Sequence, residues 1–270
     1  MIIRIIVTAL LPVLILGWWI YRKDSLRPEP LRMLYKAFLY GVGSVFVSLL
    51  ISGLMAVMGI LSVDIETFGG AVSTALFAAA VPEEIAKFLM LWLFLRNNKY
   101  YDEYFDGIVY AACVGLGFAG TENILYLLQS EDWVITGVVR GLTAVPGHFA
   151  MGCAMGYFFS KRHFGDKSTL TAVCVLAVPI LIHWTWDALA FSEGIFPALS
   201  VGISLLLVGL IIYLYKSTMR RIANLRDQDL ARMTPPPFPG SVPTGTPLPP
   251  PLPDSNTPNE PPIDNNTPLA

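Results

Sequence analysis

Seven ionisable side chains occur within otherwise apolar segments of this chain. They are Glu83, Glu84, Lys87, Glu122, His148, His183 and Asp187. Peptide hydrolysis needs an activated water, a stabiliser for the oxyanion and an acid for the leaving amine. Carboxylates, imidazoles and an ammonium can together supply all three, so the chain carries the groups of a hydrolytic site.

The spacing of these residues groups them on helix faces. Glu83 and Lys87 are four residues apart, as are His183 and Asp187, so each pair shares one face of a helix. Adjacent residues point about 100° apart, so only one of Glu83 and Glu84 can face a given water. We expect one glutamate to act as general base while Lys87 keeps the other charged. Asp187 is expected to orient the ring of His183.

Placing charged groups in apolar segments costs free energy. Chains rarely retain such groups without a function, so their presence here indicates one. Each one at the centre of a bilayer costs at least about 2.5 kcal/mol on insertion scales. Structural explanations exist: Glu83 and Lys87 could form a buried ion pair, and His148 could join two helices by a hydrogen bond. Arg140, near the end of an apolar segment, is predicted to reach towards lipid headgroups.

The segments that position these residues are predicted to be membrane-spanning helices. Apolar residues make up 54% of the chain and charged residues 14%, against about 25% charged in soluble domains. Several runs are long enough to cross a bilayer. The prediction is an all-α bundle of seven spans, at 2–21, 36–59, 71–95, 107–128, 138–159, 169–191 and 197–215.

Basic residues alternate with the spans. Fifteen of the 18 fall on one side of this arrangement, and loops on the other side carry only acidic residues. The positive-inside rule then places the N-terminus outside and the C-terminus in the cytoplasm. The residues on the basic side are Arg22, Lys23, Arg27, Arg32, Lys36, Arg96, Lys99, Lys161, Arg162, Lys167, Lys216, Arg220, Arg221, Arg226 and Arg232.

The chain divides into a helical domain, 1–232, and a tail, 233–270. Fourteen of the 21 prolines lie between Pro235 and Pro268, and the tail has no apolar periodicity, so it is predicted to be disordered and cytoplasmic. Its polyproline stretch could dock on an aromatic groove of a partner. No nucleic-acid partner is expected. The three cysteines, without a CxxC pair, are interpreted as packing residues.

Two further features concern the environment of the site. Pro82 is predicted to kink the third span just before the glutamates, which suits a water-filled cavity. Counting residues along the spans places Glu83 and Glu84 about 18 Å below the outer surface, with the other groups in the outer half of the membrane. The glycines at 115, 117, 120, 152 and 156 are predicted to let helices approach closely.

Four motifs resemble the PrsW family of intramembrane proteases, within the wider CAAX-protease and bacteriocin-processing superfamily. They are Glu83-Glu84-Ile85-Ala86-Lys87, Phe118 to Glu122 followed by Asn123, then His148, and His183 to Asp187. The resemblance runs from about Pro82 to Asp187. The CAAX branch would have arginine at position 88 and histidine at 122; Phe88 and Glu122 favour PrsW.

The resemblance implies an endopeptidase of the bacterial cytoplasmic membrane, glutamic in type, that cuts a membrane protein near its extracytoplasmic face. The family's known substrate is an anti-sigma factor. It further implies that His183 and Asp187 position the carbonyl or stabilise the oxyanion, and that His148 holds the water or protonates the amine. Glu122 would bind substrate backbone or share a proton with Glu84.

Other interpretations of the same residues remain open. No cofactor is expected, although two histidines and a glutamate could form a three-ligand zinc site. The chain lacks an HExxH motif. Intramembrane carboxylates and histidines also serve proton-coupled or cation transporters, usually with inverted repeats, which are not evident here. A non-catalytic membrane scaffold that recruits partners through its tail is the third alternative.

Overall fold

The computed structural model describes residues 2–24, 27–61 and 63–233, and every regular element in these ranges is helical. These ranges contain nine α-helices, a π-helical turn at Ala75–Ala80 and a 3-10 turn at Pro197–Leu199. The helices are α1 Ile2–Lys23, α2 Leu31–Val57, α3 Phe68–Thr74, α4 Val81–Leu95, α5 Tyr104–Gln129, α6 Trp133–Leu142, α7 Ala144–Phe164, α8 Thr169–Ile195 and α9 Ser200–Met233.

Among the described residues, five helical segments are long and apolar enough to cross a membrane: α1, α2, α5, α8 and the segment Pro197–Met233 that contains α9. The predicted all-α, multi-pass architecture is therefore confirmed. The orientation of the bundle in the membrane stays a prediction. The predicted tail, 233–270, lies outside the described residues apart from Met233, the last residue of α9.

The third predicted span consists of α3, the π-helical turn and α4 in direct succession. The backbone N–H of Val81 donates to the carbonyl of Leu76, five residues earlier, which is the π pattern. Pro82 follows this turn directly, and it has no backbone N–H to donate back into the turn. The irregularity predicted at Pro82 is thus a widened helical turn, and it directly precedes Glu83 and Glu84.

The fifth predicted span, 138–159, is wrong as a single helix. Thr143 leaves the helical conformation, with φ −122° and ψ −72°, and separates the short helix α6 from α7. Pro146 has no N–H to donate to residue 142, so an unbroken helix would lose a backbone hydrogen bond there. The break lets α6 pack on α1 and α5 while α7 enters the bundle.

Helix α5 is the centre of the bundle and packs on α7, α2 and α1. Glycines allow these close approaches. A Cβ on Gly117 would lie 2.0 Å from the carbonyl oxygen of Phe38 in α2, and one on Gly156 would lie 2.1 Å from that of Gly107 in α5. The expected packing role of these glycines is what the structure shows, since any larger residue would force the helices apart.

Helix α9 continues well beyond the span predicted at 197–215. Its far end is attached to α5 through Asp229, which is 1% exposed. The Asp229 carboxylate accepts hydrogen bonds from the backbone N–H groups of Tyr104 and Phe105, at 2.7 and 2.8 Å. These are N–H groups that the first turn of α5 leaves without helical partners. The contact fixes the C-terminal end of α9, while its N-terminal half borders the cavity described below.

Candidate active site

All seven residues singled out in the sequence come together, and Lys87 lies at their centre. Its Nζ donates to Glu84 Oε1 at 2.7 Å and is 3.4 Å from Glu83 Oε2. It also lies 3.0 Å from His148 Nδ1 and 3.9 Å from the centre of the Phe118 ring. Helices α4, α5 and α7 therefore meet at one buried ammonium group.

The hydrogen bonds of His148 define its tautomer. An ammonium group only donates, so Lys87 donates to Nδ1 of His148 and the ring proton lies on Nε2. That Nε2–H donates to Glu122 Oε2 at 3.0 Å. A chain of hydrogen bonds consequently runs from Lys87 through the imidazole to Glu122, and it fixes the orientation of the ring.

The position of the Arg140 side chain contradicts the expectation that it extends towards lipid headgroups. Its guanidinium donates to Glu122 at 2.7 Å and to the side-chain oxygen of Asn123 at 2.8 Å. It also lies 3.7 Å from the ring centre of Tyr126. The helix break at Thr143 explains this position of Arg140. It lets α6 pack on α5, which directs the Arg140 side chain into the bundle. Glu122 is thus held between a guanidinium and an imidazole.

His183 in α8 lies between carboxylates on both sides of its ring. Its Nδ1 is 3.0 Å from Glu84 Oε1, and its Nε2 is 3.2 Å from Asp187 Oδ2. Ionised carboxylates only accept hydrogen bonds, so this is the arrangement of an imidazolium that donates from both nitrogens. Nε2 is also 3.8 Å from Glu83 Oε2. The contact with Asp187 is the one that the four-residue spacing predicted.

A cavity of about 500 Å³ gives access to part of this cluster. Glu83, Glu122, His148, His183 and Asp187 line it, together with residues of α6 and α9. Glu84 does not line the cavity and is fully buried, whereas 15% of the Glu83 side chain is exposed. The two adjacent glutamates point about 100° apart on the helix, and they therefore differ in access to the cavity. Glu83 is the one that can contact water.

The charges of the cluster do not balance. Four carboxylates face three cationic groups, namely Lys87, Arg140 and the His183 imidazolium. Glu84, Glu122 and Asp187 each have a cationic nitrogen within 3.2 Å, while the nearest to Glu83 is at 3.4 Å. Glu83 therefore has the longest of these shortest contacts, and a second cationic nitrogen, His183 Nε2, lies 3.8 Å from its Oε2.

Three residues of the cluster also form a possible metal site. Glu83, His148 and His183 can each offer one ligand atom, and these atoms lie within 4.8 Å of one another. Two imidazoles and a carboxylate are a donor set that catalytic zinc takes. The donors fit a divalent ion, although each ring nitrogen already has a protein partner.

The sequence did not predict the partner of Glu122. Arg140 was expected at the membrane surface, yet it forms an ion pair with Glu122 on one side of the cavity. Asn123 is a third participant, since its side-chain oxygen accepts from Arg140. The signal was present in the adjacent polar pair Glu122-Asn123 within an apolar span, which implied a cationic partner.

Comparison with known proteins identifies the family of this chain. Residues 29–215 match the family model described as "PrsW family intramembrane metalloprotease". Protease PrsW of Geobacillus kaustophilus is 34% identical over 65% of this chain and 74% of its own length. The proteins of the same name from Clostridioides difficile and Bacillus subtilis are 32% and 33% identical, each over 68% of this chain and over 78% and 81% of their lengths.

No solved structure matches the chain. The family match covers more than half of the sequence and includes every residue of the cluster. The relatives are proteases, which decides between the hydrolytic interpretation and the transporter and scaffold alternatives. This multi-pass membrane protein therefore belongs to the PrsW-protease family and is a membrane-embedded protease.

Proposed function

We propose that this protein hydrolyses a peptide bond of a membrane protein substrate with a water activated by Glu83. The observation that carries the proposal is the difference between the two adjacent glutamates. Glu83 lines the cavity and its side chain is 15% exposed, while Glu84 is fully buried between Lys87 and His183. Glu83 is therefore the base, and Glu84 is the anchor that holds the two cationic groups in place.

The reaction follows from the positions of these groups. The Glu83 carboxylate takes a proton from a water in the cavity, and the resulting hydroxide attacks the carbonyl carbon. The positive charge of the His183 imidazolium, whose Nε2 lies 3.8 Å from Glu83 Oε2, stabilises the oxyanion that forms. Glu83 then returns its proton to the leaving nitrogen, and the peptide bond breaks. Asp187 orients His183 through the same ring nitrogen, Nε2, at 3.2 Å.

Three other residues of the cluster, Glu122, Arg140 and His148, have positioning roles. His148 connects Lys87 to Glu122, and Arg140 holds Glu122 at the wall of the cavity. In this position the Glu122 carboxylate can accept a hydrogen bond from a backbone N–H of the substrate. We therefore assign Glu122 to substrate binding and His148 to keeping the ammonium of Lys87 beside Glu83.

The substrate class and location are proposals that rest on the predicted topology. With the N-terminus outside, the cavity lies in the extracytoplasmic half of a bacterial cytoplasmic membrane. The substrate is then a membrane protein cut near its outer face, and an anti-sigma factor is the candidate that the family resemblance offers. No cofactor is needed in this mechanism. The proline-rich tail would serve for partner binding and not for catalysis.

Comparison of new N-termini in host membranes tests the proposed function. Cells that carry either the wild type or Glu83→Gln are compared for fragments of membrane proteins that are cut near the outer face. Fragments that appear only with the wild type are expected, and they would name the substrate. Identical sets of fragments from the two strains, grown under several stresses, would contradict a Glu83-dependent protease.

A metal-dependent reaction is the second candidate, because Glu83, His148 and His183 lie within ligand distance of one another and the family description names metalloproteases. A zinc ion held by these residues would supply a Lewis acid and a water of lowered pKa. We expect purified protein to contain much less than one zinc per chain and to keep its activity in chelator. Stoichiometric zinc that is lost in both His148→Ala and His183→Ala would reverse this assignment.

A further inference from the structure

A second cavity, of about 210 Å³, lies against α7 between α1 and α9. Helix α1 packs on α5, α6 and α7, and α9 packs on α5, α7 and α8, so α7 lies between the two. Ile15 and Trp19 of α1, Ala150 of α7, and Tyr215 and Thr218 of α9 are among the lining residues. The cavity is almost entirely apolar. We call this feature the α1–α9 groove.

The α1–α9 groove adjoins the catalytic cavity. Gly147, Ile211 and Leu214 line both, so the two spaces border each other at these residues. A Cβ on Gly147 would meet no atom within 4 Å, which means that the floor of the groove is open at the residue next to His148. A group that occupies the groove therefore lies directly beside the catalytic cluster.

A substrate of this protease must arrive from the bilayer as a helix. Backbone polar groups have no water to bind in the hydrocarbon region, so a spanning segment keeps its own helical hydrogen bonds until it reaches a polar site. Small residues on one helix face let a second helix approach closely, and Gly147 and Ala150, three residues apart, provide such a face on α7.

One polar group in the α1–α9 groove also indicates an occupant. Thr218 is 2% exposed, and its hydroxyl has no hydrogen-bond partner among the described residues. A buried hydroxyl without a partner is unfavourable by about 1–3 kcal/mol. A backbone carbonyl or polar side chain of a helix in the groove can accept from it, whereas the acyl chain of a lipid cannot.

We propose that the α1–α9 groove is the docking site for the transmembrane helix of the substrate. The inference rests on the proposed protease function and extends it to the substrate's position. In this arrangement the substrate helix lies along α7, and its side chains fill the groove. From Thr218 to Ile211 it follows α9 for seven residues, about 10 Å, towards the catalytic cavity. The bond that is cut then belongs to the end of the substrate helix that reaches Glu83.

Two neighbouring residues of α1 provide a matched test. Ile15 and Leu14 are both exposed to lipid, at 56% and 67%, but only Ile15 lines the groove. Ile15→Trp fills the groove and should slow formation of the Glu83-dependent membrane fragments at least tenfold. Leu14→Trp should leave that rate unchanged. Both variants should reach the membrane in wild-type amounts, because each residue lies on the surface of the bundle.

A short soluble peptide that spans the cleavage site separates docking from catalysis. Purified Ile15→Trp should cut this peptide at the wild-type rate, because the peptide does not use the groove. Equal cleavage of the membrane substrate by Ile15→Trp and Leu14→Trp would overturn the docking site, as would an equal loss on peptide and membrane substrate. If wild-type cells yield no Glu83-dependent fragments, the proposed function itself is wrong, and the docking site falls with it.

Discussion

Glu83→Gln should lower the kcat of the purified protein about 10³-fold and leave its KM and its melting temperature close to those of the wild type. General base catalysis contributes on the order of 10²- to 10⁴-fold, and glutamine cannot accept the proton. The substitution keeps the shape of the side chain, and Lys87 keeps Glu84 as its closer partner at 2.7 Å. The free energy of unfolding should change by less than about 1 kcal/mol.

Glu84→Gln is the matched comparison, because it makes the same chemical change at the adjacent residue. Glu84 Oε1 accepts from both Lys87 and His183, so loss of its charge should lower the free energy of unfolding by about 2 kcal/mol. Its kcat should fall less than that of Glu83→Gln. The opposite pattern, with an inactive and stable Glu84→Gln and an active Glu83→Gln, would exchange the roles of the two glutamates.

Lys87→Met should destabilise the protein by about 3–5 kcal/mol, measured by unfolding in detergent. Removing one partner of a buried ion pair leaves the other charge uncompensated, and that penalty is of this size. Lys87 is 2% exposed and is the cation nearest to Glu84 and to Glu83. Lys36→Met, which changes an exposed lysine of α2, should alter the free energy of unfolding by less than about 0.5 kcal/mol.

A double variant shows whether the loss in Lys87→Met comes from the buried charge. Lys87→Met with Glu84→Leu removes both members of the closest pair and should recover at least about 2 kcal/mol of the stability, without recovering activity. Residues in direct contact are expected to show such non-additive changes. Strictly additive losses in the two single variants and the double variant would mean that Lys87 does not stabilise the fold through Glu84.

The composition of the cluster was predictable because charge in an apolar span has few explanations. Glu83, Glu84, Lys87, His183 and Asp187 stand out from their neighbours, and the four-residue spacings correctly paired Glu83 with Lys87 and His183 with Asp187. Helical periodicity is a local property, so a sequence is sufficient to establish it.

The partners of Arg140 were not predictable in this way. The apolar run that contains Arg140 was read as part of one span, whereas Thr143 and the proline after it divide the run into α6 and α7. A helix break changes the direction in which every residue before it points. The pairing of Arg140 with Glu122 joins residues 18 positions apart on different helices, and only the packing of α6 on α5 produces it.

The sequence by itself determined the helical, membrane-embedded architecture, the members of the polar cluster and the same-face pairs, because hydropathy and the helical period are local properties of the chain. Only the tertiary structure decided that Lys87 connects three helices, that Glu83 faces the cavity while Glu84 is buried, and that the groove between α1 and α9 leads to the cluster. These features depend on the rotation of each helix about its axis and on its neighbours. Both are set by close packing at residues such as Gly117 and Gly156, whose contacts lie on other helices.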